Sequence, residues 1–167
     1  MKKQLIAALF GLIMAPFIGA SASAAEVHIG FVNTDQVMRE SKSVLRIQQK
    51  LEKEFAPREQ EIQRKIKQIR DQQQALEKDG LTLSDTERSK RQRELAALAR
   101  EVENEKRALR EDLNQRRSEE LGLFQERARK IIFEIAEKEK FDLIVETAVY
   151  ANPRVDITSR VVKALDR

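Results

Sequence analysis

The 167-residue chain has no cysteine and no tryptophan, one histidine, one tyrosine, three prolines and five glycines. Each shortage removes a class of solution. Without cysteine there is no disulfide framework, so stability must come from packing or from association of copies. With a single histidine, His28, a metal site of His/Cys type is excluded and a Ser-His-Asp arrangement has no support. There is no glycine-rich phosphate loop and no His-Glu-x-x-His segment. His28 falls in an alternating stretch and reads as a partly solvated structural residue. The carboxylates lie among basic residues at helical spacing, which describes solvated ion pairs rather than an acid–base pair. These features point to a non-enzyme without metal or cofactor.

Among the residues that are present, the first few suggest a compartment. Lys2 and Lys3 precede an uncharged apolar run over 5–18, and Ala22-Ser23-Ala24 follows with the small-x-small pattern of a secretory leader. A cleaved signal peptide over 1–24 is expected, with Ala25 as the next choice of cleavage point. The rival, an uncleaved anchor, needs roughly 20 apolar residues, and this run is shorter and interrupted by Pro16 and Gly19. The leader holds two of the 32 basic residues and none of the 28 acids, so the rest of the chain is close to neutral at +2. A chain so balanced is no obvious binder of nucleic acid by net charge.

Charged residues make up 36% of the chain and aromatics only 5%, which favours long exposed helices over a compact globule. Val27, Ile29 and Phe31 alternate in a short strand. Asn33 or Thr34 opens a helix, with Gln36 placed as in a capping box. Nothing then stops the helix before Lys78 except Pro57, where a local kink is expected. Gly80 is expected to end it in the left-handed conformation. Ser84 and Glu87 should cap the next helix reciprocally, and that helix continues to about Lys140 with one interior glycine, Gly122. Two helices of this length form an antiparallel hairpin with its turn near 79–83.

The seam between the helices repeats on elevens, as in Leu51/Ile62, Phe55/Ile66 and Val102/Leu113/Phe124/Ile135. That spacing is about 3.67 residues per turn, so the pair should be nearly straight or slightly right-handed. Arg58, Gln73, Lys106, Arg117 and Glu120 stand where a firm coiled coil would place Leu or Ile. The expected arm is tight at its base and loose toward Gly80.

Phe141, Leu143 and Val145 mark a second strand, with Val149 and Tyr150 as a returning hairpin partner. Asp156 or Thr158 should cap a last short helix bearing Val161, Val162 and Leu165. The expected fold is therefore mainly α with a small β part. A helical arm over 34–140 projects from a β-rich oligomerisation body made of 26–33 and 141–167. A sheet of about three strands is too small to stand alone. Association through Ile29, Phe31, Leu143 and Val145 is expected to bury its apolar face.

Charge is distributed unevenly. Over 58–93 there are ten basic and seven acidic residues, and over 119–146 five basic and eight acidic. The tip is positive and the root negative. Lys78, Arg88, Lys90, Arg91 and Arg93 are candidate contacts for an acidic client, an anionic lipid surface or lipopolysaccharide, against the plainer reading of a solvated mosaic.

Several segments together resemble the Skp (OmpH-like) family of periplasmic chaperones: Ile29-Gly30-Phe31-Val32-Asn33-Thr34, Leu51-Glu52-Lys53-Glu54-Phe55, Phe141-Asp142-Leu143-Ile144-Val145-Glu146 and Val155-Asp156-Ile157-Thr158. The resemblance covers the chain beyond the leader. It implies a homotrimer with helical tentacles around a cavity that holds unfolded outer-membrane β-barrel proteins without ATP. Two other readings stand beside it. One is a structural spacer or adaptor of the envelope, which would want a firmer seam. The other is a basic protein that binds lipopolysaccharide or nucleic acid.

Overall fold

The computed structural model describes residues 26–80 and 82–167, so the leader over 1–24 and Leu81 lie outside the described residues. Strand β1 (Ile29–Phe31) leads into helix α1 (Thr34–Glu40), followed by α2 (Lys42–Asp79), α3 (Asp85–Glu139), β2 (Leu143–Val145) and α4 (Thr158–Leu165). The chain is mainly helical with a two-stranded sheet. At 1.5 Å per residue, α2 and α3 are about 57 and 82 Å long, and they lie antiparallel as one arm.

The helix starts follow the local chemistry. Asn33 accepts the Gln36 N–H on its side-chain oxygen at 2.9 Å, and Ser84 accepts the Glu87 N–H at 3.3 Å. The return half of the second cap is absent, because the Glu87 carboxylate pairs with Arg91 at 3.2 Å instead. Helix α2 continues through Pro57.

Three expectations are corrected. The first helix is not continuous: Ser41 takes an extended conformation (ψ 127°) and separates α1 from α2. Gly80 is right-handed (φ −58°), while Lys140 closes α3 in the left-handed region at φ 57°. Glycine is still needed at 80, since a Cβ there would stand 2.5 Å from the Leu76 carbonyl oxygen. Finally, Val149 and Tyr150 form no returning strand and are exposed.

The strands pair in parallel, with Ile29 opposite Leu143, Gly30 opposite Ile144 and Phe31 opposite Val145. Parallel pairing is possible because the whole arm lies between the two strands and serves as the crossover. On the other side of β1, Phe31 donates to the Val155 carbonyl and accepts from the Ile157 N–H, both at 2.8 Å. Asp156 thus supplies the third contact of the sheet as a single bridge. Gly30 permits the close approach of β1 to β2; a Cβ would meet the Phe141 ring at 3.2 Å.

The buried core is largely helical. Val32 and Val37 from the start, Phe124 and Ala128 from the root of α3, and Ile157, Val161 and Leu165 from the end pack together. Residues on both sides of the long arm therefore close one small body.

Candidate functional site

The functional surface has four parts: the joint between body and arm, the arm, its tip, and an open groove on the body.

The joint is built around Ser41, fully buried where α1 gives way to α2. The Asp166 carboxylate, at the end of α4, accepts the Ser41 hydroxyl at 2.8 Å and the Lys42 and Ser43 N–H groups at 3.1 Å each. Ser43 returns a bond from its hydroxyl to the Leu165 carbonyl at 2.9 Å, and Arg46 lies 3.9 Å from Asp166. A carboxylate from the far end of the chain thus caps a 38-residue helix that has no acid in its own first turn. Desolvation works against the charged form of Asp166, but the Lys42 N–H, the Ser41 hydroxyl, the Ser43 N–H and Arg46 outweigh it and hold the carboxyl below its ordinary range.

Along the arm, apolar burial is thin. On α2 only Leu51, Phe55 and Ile62 are buried hydrophobics, and on α3 Val102, Phe124 and Ala128. Ion pairs supplement them across the seam. Lys50 meets Glu120 at 2.7 Å, Arg116 meets Glu54 at 3.2 Å, and Arg58 meets Asp112 at 2.7 Å. Farther out, Lys65 reaches Glu101 at 2.6 Å and Glu105 at 2.5 Å. Donating to the Glu101 and Glu105 carboxylates raises the Lys65 pKa, and donating to those of Glu54, Glu119 and Glu120 raises that of Arg116. The Glu120 carboxyl is lowered, first by Lys50 and then by Arg116.

The five cations singled out at the tip divide. Arg88 is taken up by Asp85 at 2.7 Å and Arg91 by Glu87. Lys78, Lys90 and Arg93 are exposed, with no carboxylate in ion-pair range among the described residues.

On the body lies a groove of about 1050 Å³ between α1, the root of α3 and β2, with apolar walls from Met38, Ile132, Phe133, Phe141 and Ile144. Two of its lining residues, Phe133 and Leu143, are 62% and 51% exposed. Of the four strand residues expected to mediate association, Ile29 and Leu143 are exposed as one cross-strand pair, and Phe31 and Val145 are half-buried as the next. His28 stacks on Phe141 with ring centroids 4.1 Å apart. Among the described residues no cluster of three His, Asp or Glu groups could hold a metal ion. Sequence reasoning missed both the groove and the Ser41 joint. The joint had one local signal, the serines at 41 and 43, which compete with helix backbone for hydrogen bonds.

A small mixed body with an open apolar face, carrying one long and thinly packed antiparallel arm, defines a class of helical-arm binding proteins. Comparison with known proteins narrows the class. A family model described as "Outer membrane protein (OmpH-like)" matches residues 28–165, and the chain belongs to that family. A protein of Photorhabdus laumondii named "Chaperone protein Skp" is 30% identical over 98% of both chains. Proteins of the same name from Pectobacterium atrosepticum and Vibrio cholerae are 30% and 27% identical, covering 98% and 99% of both chains. An OmpH-like protein of Caulobacter crescentus, known from a crystal structure, shares the fold with a TM-score of 0.77 at 17% identity over 85% of each chain.

Proposed function

We propose that the protein is an ATP-independent holdase of the periplasm, which keeps unfolded outer-membrane β-barrel proteins from aggregating until they insert. The observation that carries this reading is the arm: about 80 Å of helix whose seam is only partly apolar, on an OmpH-like chain whose relatives are named as chaperones. An unfolded barrel strand exposes alternating apolar side chains and unpaired backbone edges. Flexible arms shield such a client through many weak contacts. Release follows when insertion into the membrane is the more favourable state, so neither nucleotide nor catalytic residue is needed.

A single arm encloses nothing, so the reading includes self-association, as a homotrimer with three arms around a cavity. The open groove, the exposed Ile29/Leu143 pair and the projecting Val149 and Tyr150 are surfaces that a neighbouring copy would cover. Residues 1–24 act in this reading as the cleaved export signal. The uncompensated cations Lys78, Lys90 and Arg93 favour an additional contact of the tip with anionic lipid or lipopolysaccharide; no nucleic-acid partner is expected.

The decisive experiment dilutes a urea-unfolded outer-membrane protein into buffer with the purified assembly in excess and follows light scattering. Suppression of aggregation without ATP is the expected result, and undiminished aggregation would overturn the reading. Retention at moderate salt separates client holding from binding dominated by phosphate contacts, which weakens steeply.

A further inference from the structure

Four of the ion pairs across the arm share one property. In Lys50–Glu120, Glu54–Arg116, Arg58–Asp112 and Lys65–Glu105 the two residue numbers always add to 170. They therefore report a single antiparallel register over four turns of α2. Along α2 the signs run plus, minus, plus, plus, and α3 answers with the opposite sign at every step.

Other registers lose this match. A shift of one turn in one direction sets Lys50 against Arg116 and Glu54 against Asp112; in the other it sets Glu54 against Glu120 and Arg58 against Arg116. The seam repeats on elevens, so a shift by a whole repeat would keep the apolar spacing. It sets Glu54 against Glu105 one way and Lys65 against Arg116 the other. Of these five registers, only the observed one gives all four residues an opposite charge.

We propose that this charge ladder is the register lock of the arm: the charges specify which residues meet, and so free the apolar seam from that task. Repulsion in the wrong registers does the selecting, as charges flanking a coiled-coil seam select partners. The seam beyond Ile62, where α2 has no buried hydrophobic, can then stay thin enough for the arm to bend while its pairing and reach stay constant.

The test exchanges charges without changing their balance. Glu54→Lys with Arg58→Glu leaves two like-charge contacts in the observed register and none in the register one turn along. There the new lysine would face Glu120 and the new glutamate would face Arg116. Asp112→Arg with Arg116→Glu, added to the first pair, restores the match at 54–116 and 58–112. The chain has no cysteine, so spin labels at Gln48→Cys and Asn104→Cys report the helix offset alone, in the full-length protein diluted with unlabelled protein. In the first variant the label distance should lengthen by up to about 6 Å, four residues of helical rise, or its distribution should broaden. In the fourfold variant the original distance and helix content should return. An unchanged distance in the first variant would overturn the proposal, as would failure of the fourfold variant to recover.

Discussion

At the scale of single residues, the most consequential group is Asp166. It joins α4 to the first turn of α2 across more than 120 residues of sequence and adds to the local Ser41 cap the negative charge that the helix's own first turn lacks. Asp166→Ala should cost ~1 kcal/mol, in the range of a lost helix cap, and should speed amide exchange over 42–47 before it affects α3. The pH dependence follows from the lowered folded pKa of this carboxyl. Between that value and the ordinary 3.8, the unfolded chain binds the proton and the folded one does not, so stability rises with pH across this window. The contribution is complete above the ordinary value and fades as acid is added. Asp166→Asn should accordingly flatten this part of an acid-denaturation profile followed by circular dichroism. The Ser84 and Asn33 caps were legible because a cap needs only a neighbour within one turn. The Glu87 pairing was equally local, but two partners competed for that carboxylate and Arg91 took it.

At the scale of elements, burial falls along the arm. Phe124 and Ala128 belong to the body core, Leu51, Phe55, Ile62 and Val102 lie farther out, and beyond them no residue of α2 or of the start of α3 is a buried hydrophobic. Phe124→Ala should cost ~3–5 kcal/mol, the usual penalty for emptying a packed aromatic site, and should destabilise the body and root together. Leu76→Ala, near the tip and only half-buried, should lower the melting temperature by a small fraction of that shift. Hydrogen exchange read by mass spectrometry should show the same order, with amides near 75–95 opening first. The eleven-residue spacing and the charges interrupting it were visible without a structure, so the loosening of the arm could be anticipated. The division of the first helix at Ser41 could not. Its cause is a carboxylate whose sequence position says nothing of its place in space.

At the scale of the whole molecule, one chain leaves a 1050 Å³ groove open and holds Val149 and Tyr150 away from any packing. If these surfaces close against another copy, the mass in solution at micromolar concentration should be a multiple of the chain, and Leu143→Asp with Tyr150→Asp should reduce it toward a monomer with unchanged helix content. Light scattering after size exclusion reads both; a monomeric parent protein would contradict the proposed trimer with its arms around a cavity. The sequence by itself determined the class of fold, the antiparallel arm with its turn near residue 80, the two strands and the family resemblance, because periodicity, caps and composition act between neighbours within a few turns. Only the tertiary structure decided the parallel pairing of β1 with β2, the single bridge from Asp156, the left-handed close at Lys140 rather than Gly80, and the clasp of Asp166 on Ser41. Each depends on which surfaces meet when an arm of more than 100 residues doubles back, and that is set by the packing of the whole chain rather than by any local segment.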